Sequence, residues 1–155
     1  HKTDVGGVIL NVASAKQVAE NFTKLMQIQE ATGVLMQQQL SGLEVFVGAK
    51  KEGEFGHVIM CGLGGVYIEI YKDVRAGLSP VGQEEAETMI KRLKVYPILK
   101  GYRGKPGINL PLFAQIITRV SALVEAFPQI EELDLNPLLA KGTHLTAVDA
   151  RIILS

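Results

Sequence analysis

The chain reads as an α+β domain built on a largely antiparallel sheet. Short apolar runs rich in Val and Ile alternate with glycine turns, which is the signature of strands. Three longer stretches repeat apolar residues every three or four positions, which is the signature of amphipathic helices. The two kinds of segment are neither strictly alternating nor segregated, and that order favours α+β over a parallel α/β sheet.

Taken along the chain, Gly6 to Val12 (GGVILNV) predicts a short strand. Ser14 is an N-cap candidate for a helix to about Ala31, with Val18, Phe22, Leu25 and Ile28 on one face and Thr32-Gly33 as the stop. Val34–Leu40 and Leu43–Ala49 predict strands joined through a Ser41-Gly42 turn. Val58–Cys61 and Val66–Tyr71 predict two more, separated by GLGG. Gln83 to Leu93 predicts a helix, since Ala86, Met89, Ile90 and Leu93 share a face. GYRGKPG, residues 101–107, predicts a loop. Asn109 and Pro111 open a helix to about Phe127, lined by Phe113, Ile116, Val120, Leu123 and Val124. Glu131–Leu135 and Leu145–Leu154 predict the closing strands.

The 155 residues fit one domain with a real core. Lys plus Arg and Asp plus Glu number 16 each, so the balanced charge argues against bulk binding to nucleic acid or acidic membranes. No apolar run reaches the roughly 20 residues of a membrane helix, and the first residues lack the order of a signal peptide. Cys61 is the one cysteine, which excludes an internal disulfide and a multi-thiolate metal site and fits a cytoplasmic setting.

The chemistry concentrates near the end, in LDLNPL and TAVDARI. Strand alternation turns Asp134 and Asn136 to one side and Leu133 and Leu135 to the other. If the strand carrying Asp149 pairs with theirs, three oxygen-bearing side chains converge, as Mg²⁺ requires. The competing reading, Asx residues shaping a turn before a ladder-ending Pro137, has equal weight from spacing alone. At the start, Gly6 and Gly7 allow backbone N–H groups to approach an anion, with Lys2 adding charge; a plain hairpin turn is the more frequent explanation of a glycine pair. GLGG lies between strands without dinucleotide-fingerprint spacing, so it is an anion loop or a tight turn. Arg103 and Lys105 are phosphate contacts or solvated loop charges. His57 reads as structural, His144 as exposed on a hairpin, and His1 stands beside the glycine pair.

Five motifs in order, HKTDVGGV, GLEVFVGAKKEGEFG, VIMCGLGGVYIEIYKDV, LKGYRGKPG and ELDLNPL…VDARI, resemble the ATP-grasp domain of NDP-forming acyl-CoA synthetases, a group that includes ADP-forming acetate–CoA ligases and is related to the succinyl-CoA synthetase β subunit. The resemblance spans essentially the whole chain. It implies an ATP-grasp fold, of which residues 1–155 form the larger, C-terminal part without a preceding nucleotide-binding subdomain, and nucleotide held between two α+β subdomains. It implies the reaction acid + CoA + ATP ⇌ acyl-CoA + ADP + phosphate, through an acyl phosphate and a phosphohistidine, with Mg²⁺ and ATP or ADP bound. It implies a CoA-binding, phosphohistidine-bearing partner, fused or separate, and leaves an oligomer open. An isolated fragment is expected to be inactive.

Carried over by residue, Asn136 and Asp149 match metal ligands and Asp134 adjoins them. Gly6 and Gly7 match the loop over the phosphates, beside Lys2 and a phosphate-relay candidate, His1. VLMQQQL matches the strand and hinge that receive adenine, with Gln38 and Leu40 bonding the base through their backbone and Gln37 standing where many relatives have Glu. Glu44 matches the carboxylate after the hinge. Two departures stand out. Gln38-Gln39 replaces the commoner Pro-Met, and KDVRAGLSP places Arg75 early and Gly77 near where an Arg is usual, which raises the question of whether Arg75 substitutes at phosphate. Two other readings compete: a regulatory ligase-like domain of a protein acetyltransferase, and an ATP-grasp ligase joining a carboxylate to an amine.

Overall fold

The computed structural model of the chain describes residues 6–65 and 72–155. The expected strand Val66–Tyr71 lies outside the described residues, as do His1 and Lys2. The chain divides into two compact units, His1–Leu40 and Ser41–Ser155, so the boundary falls at the end of VLMQQQL.

Among its described residues the first unit contains one helix, α1 (Ala15–Leu25). Ser14 caps it in extended geometry, its hydroxyl accepting from the Gln17 N–H. The helix stops short of the expected Ala31. After Met26 the bonds tighten to three-residue turns, with the Gln27 N–H donating to Lys24 O and the Ile28 N–H to Leu25 O. Neither Gly6–Val12 nor Val34–Leu40 forms a strand. An apolar alternation makes a strand only when a neighbour supplies a ladder, and the described residues supply none here. Asn11 also leaves the extended region, at φ 60°. Val8, Leu10, Leu35 and Met36 accordingly stay exposed.

The second unit is a six-stranded antiparallel sheet backed by helices. Its strands are β1 (Leu43–Lys51), β2 (His57–Leu63), β3 (Val74–Leu78), β6 (Ile130–Lys141), β7 (His144–Ala147) and β8 (Ala150–Leu154). The order is β3-β2-β1-β6-β7, with β8 also on β6. Helices α2 (Gln83–Lys91), α3 (Tyr96–Lys100) and α4 (Leu110–Ala126) complete the unit. Alternate residues Val45, Val47 and Ala49 on β1 and Ile59, Cys61 and Leu63 on β2 pack with Met89, Ile90, Phe113, Ile117, Val120 and Val124 in one apolar core. The opposite sheet face carries Phe46 and Met60 beside Glu44, Gly48 and Gly62, and the candidate site lies there.

Helix α4 follows its cue closely. Asn109 accepts from the Leu112 N–H at 3.1 Å, and Pro111 occupies the first turn, where its missing N–H costs nothing. Its inward stripe includes Ile117 and excludes Leu123, which is exposed. Strand β3 and helix α3 carry no clear periodic signal and were not expected. GYRGKPG is a hairpin, not a loop: β4 (Gly101–Tyr102) pairs with β5 (Lys105–Pro106) around Arg103 and Gly104, whose φ values of 49° and 77° suit a two-residue turn.

The closing strands differ most from expectation. Strand β6 continues through Pro137 to Lys141, while the expected strand 145–154 breaks at Val148 and Asp149 into β7 and β8. Pro137 still takes part: its carbonyl accepts from the Val148 N–H at 3.1 Å. No helix among the described residues is long and apolar enough to cross a membrane.

Candidate metal and phosphate site

Leu133 is buried in the core, so its neighbour Asp134 faces the other side of the sheet, and Asn136 follows two residues on. Asp134 has Gly48 as its partner on β1 and Arg151 on β8. Gly48 leaves room: a Cβ there would stand 3.7 Å from Asp134 Oδ1. Asp149 sits at the break before β8, its Oδ1 accepting from the Ala150 N–H at 2.9 Å. Asp134 is held above the usual carboxylate range, first by partial burial and then by the charge of Asp149; Arg151 and a hydrogen bond from Asn136 oppose the rise. Asp134 and Asn136 thus neighbour each other on β6, and Asp149, at the break between β7 and β8 instead of in the expected strand, is near enough for its charge to act on Asp134.

The same face draws in a third strand. Asn136 Oδ1 accepts from the Gly65 N–H at 3.0 Å, and the Gly64 N–H donates to Glu44 O at 2.8 Å. Gly62 and Gly64 are required by packing against backbone, and Gly65 by its left-handed backbone. A Cβ on Gly62 would lie 2.5 Å from Asp73 O, and one on Gly64 2.7 Å from Val45 O. On Gly65, at φ 59°, a Cβ would fall 1.6 Å from Glu44 Oε2. GLGG is thus a close-packed turn with one N–H already bonded to Asn136. Glu44, Gly65, Asn136 and Asp134 form a continuous polar strip across β1, β2 and β6.

Hard, small Mg²⁺ is held by one or two carboxylates, with waters and phosphate oxygens completing its shell. A carboxylate, Asp134, with a second carboxylate charge near it and an amide oxygen with a second lone pair beside it fits that requirement. No group of three or more His, Cys, Asp and Glu side chains suited to a metal occurs among the described residues.

The other expected residues are divided between the two units. Gly6 has φ 68° and open space around it; Gly7, Gln37, Gln38 and Leu40 belong to the first unit and are wholly or partly exposed. Arg103 stacks over the Tyr102 ring, 5.2 Å from its centroid, on the exposed β4–β5 hairpin, which belongs to a separate sheet. Arg75 is occupied on the helix side: its Nε donates to Arg92 O at 2.9 Å, and its Nη2 lies 3.9 Å from Asp73 Oδ1. Gly77 faces the same way, since a Cβ there would meet Glu85, Met89 and Val81. The guanidinium of Arg75 is thus engaged with Arg92 and Asp73 on the helix side. His57 is buried and its Nε2 donates to Ile130 O at 2.6 Å, whereas His144 is exposed at the β6–β7 hairpin, both as expected. Three residues of consequence were missed: Gly65, Arg151, and Gln39, which bonds Asn11.

A family model described as the ATP-grasp domain matches residues 1–154. The chain belongs to the ATP-grasp family. It is 40% identical over 162 residues to the β subunit of ADP-forming acetate–CoA ligase I of Pyrococcus furiosus, covering 99% of this chain and 70% of that protein. It is 43% identical over 155 residues to the ADP-forming acetate–CoA ligase II of Archaeoglobus fulgidus, again with 99% of this chain but only 23% of the relative. Among solved structures, acetyl-coenzyme A synthetase 1 of Ca. Korarchaeum cryptofilum, in complex with coenzyme A and Mg-AMPPCP, superposes with a TM-score of 0.90 at 33% identity, over all of this chain and 71% of that one. A protein from Pyrococcus horikoshii superposes with a TM-score of 0.82 at 33% identity, over 100% of this chain and 70% of that one. The chain is thus the ATP-grasp part of an ADP-forming acyl-CoA synthetase, and the α+β ATP-grasp fold is borne out.

Proposed function

We propose that this ATP-grasp chain binds ATP or ADP with Mg²⁺ and serves the reaction acid + CoA + ATP ⇌ acyl-CoA + ADP + phosphate within a larger assembly. The observation that carries the reading is the meeting of Asp134, Asn136 and Asp149 on the open sheet face, in a family whose solved Korarchaeum member binds Mg-AMPPCP. Asp134 and Asp149 would hold the cation, and Asn136 would serve it with the lone pair that Gly65 leaves free. When bound, Mg²⁺ neutralises phosphate charge and orients the oxygens for in-line transfer.

The chain's own residues then position. The backbone groups of Gln38 and Leu40 bond the base, and Gln37 flanks it. Gly6 and Gly7 bring N–H groups to phosphate beside Lys2, and Glu44 takes a nucleotide hydroxyl. Arg103 enters the phosphate set on its charge alone. His1 is the relay candidate. The partner is a CoA-binding, phosphohistidine-bearing polypeptide or fused domain, which fits relatives that are themselves β subunits, and the setting is the cytoplasm.

Nucleotide titration of the folded protein at varied Mg²⁺, with and without Asp149→Ala, tests the reading. The substitution should reduce Mg²⁺-dependent ADP affinity by at least roughly tenfold, the scale of losing one charged ligand. An Asp149→Ala protein that melts lower yet keeps its Mg²⁺ response would sink it.

A further inference from the structure

In residues 6–40, two extended segments flank α1, and no backbone hydrogen bond joins them among the described residues. Their recorded polar link is a reciprocal pair between Asn11 and Gln39. The Asn11 backbone N–H donates to Gln39 Oε1 at 2.6 Å, and Gln39 Nε2 donates to Asn11 Oδ1 at 3.1 Å. A primary amide offers one acceptor and a donor in a plane, as a peptide group does. The Gln39 side chain therefore makes a ladder rung where the backbone makes none.

The backbone at Asn11 is shaped for this. At φ 60° it lies in the left-handed region, which Asn tolerates better than most residues with a Cβ. That conformation is compatible with its N–H and its side-chain oxygen both meeting one amide. Gln39 in turn lies between Gln38 and Leu40. In an extended segment, fixing the direction of one side chain fixes the peptide groups on either side of it.

We propose that Asn11 and Gln39 are positioning residues for nucleotide: their amide clamp orients the backbone of Gln38 and Leu40 toward the base and ties that segment to the chain following Gly6 and Gly7. The clamp rests on the nucleotide reading given above. It explains why a run of three glutamines at 37–39 is not interchangeable. Gln39 alone of the three has a recorded side-chain partner among the described residues.

The test measures binding of a fluorescent ADP analogue to the full chain, with competition by unlabelled ADP and by inorganic pyrophosphate, which carries no base. Gln39→Ala removes both bonds and should weaken ADP roughly tenfold; Asn11→Gly keeps the left-handed backbone, removes one bond and should cost roughly threefold. The double variant should bind no worse than Gln39→Ala, because the two residues act through one contact. Gln39→Glu, which still accepts from the Asn11 N–H, should recover part of the affinity. Pyrophosphate should bind all variants alike.

ADP affinity within twofold of wild type in Gln39→Ala overturns the clamp, as do additive losses or an equal fall for pyrophosphate. A wild-type chain that binds pyrophosphate but shows no preference for ADP sinks the nucleotide reading and the clamp with it, a result distinct from a wild type that binds ADP and variants that do so equally well.

Discussion

Asp149, at the break before β8, raises the proton affinity of Asp134 on β6, although Arg151 faces Asp134 across the ladder. Partial burial is the larger cause and the Asp149 charge the second. The fold thus places a like charge near the partly buried Asp134. Without a cation the arrangement destabilises the ionised form; a bound cation reverses the sign.

The first prediction follows from that sign. Asp134 has a folded pKa above its unfolded one, so between the two values the folded state binds more protons. Its contribution to stability is therefore lost as pH rises through that window and regained as pH falls toward the ordinary carboxylate value of about 4. In metal-free protein, Asp134→Asn should raise Tm at neutral pH, and the gain should shrink toward zero near pH 4. Millimolar Mg²⁺ should stabilise the wild type and leave the variant unmoved. Thermal melts from pH 3.5 to 8, with and without Mg²⁺, measure both effects. A variant less stable at every pH would contradict the reading.

A second prediction concerns Gly65. A Cβ on it would stand inside the Glu44 carboxylate, at a φ of 59° that side chains resist. Gly65→Ala should cost about 1–3 kcal/mol, from backbone strain and the displaced Glu44 together. Adding Glu44→Ala should return the steric part, so the double variant should be more stable than the sum of the singles. Denaturant melts of all four proteins decide it; strict additivity would show that the two residues do not meet.

The side of β6 to which Asp134 turns was legible because strand alternation is a local rule and Leu133 announces which way it points; the place of Asp149 was not, since the expected strand 145–154 breaks there. Helix α4 was legible because Asn109 and Pro111 mark its start within a few residues. The extents of β6, β7 and β8 were not, since continuation through Pro137 is decided by a long-range acceptor role, its carbonyl meeting the Val148 N–H. GLGG was ambiguous for the same reason. What each glycine avoids lies on Val45, Asp73 or Glu44, none adjacent in sequence. The apparent strands at Gly6–Val12 and Val34–Leu40 have the right alternation, yet alternation specifies a face and not a partner.

A third prediction separates Cys61 from the chemistry. Burial pushes its thiol up to about 12, with Arg75 opposing and Asp73 adding to the rise. At neutral pH the thiolate is negligible, and the sulfur is fully buried on β2. A thiol reagent should therefore leave the native protein unlabelled and modify one thiol per chain on unfolding. Cys61→Ala should bind nucleotide as wild type does while costing about 1 kcal/mol in stability, by loss of one buried sulfur. Rapid labelling of native protein would contradict the burial.

The last prediction distinguishes a structural arginine from a phosphate ligand. Asp73 is buried; its Oδ2 accepts from the Val95 N–H at 2.9 Å, and its Oδ1 has no hydrogen-bond partner. Arg75 approaches that oxygen to 3.9 Å and closes the end of α2 through Arg92 O. Removing the guanidinium leaves a buried carboxylate without its nearby counter-charge and a helix-end carbonyl without its donor. Arg75→Ala should therefore destabilise the chain by about 1–3 kcal/mol. Asp73→Asn in the same background should cost less than it does alone, because the buried charge is then gone. Nucleotide affinity of the folded Arg75→Ala protein should stay within about twofold of wild type, since the side chain points to the helices and not to the face holding Asp134. Loss of affinity at unchanged Tm would instead place Arg75 on the phosphate.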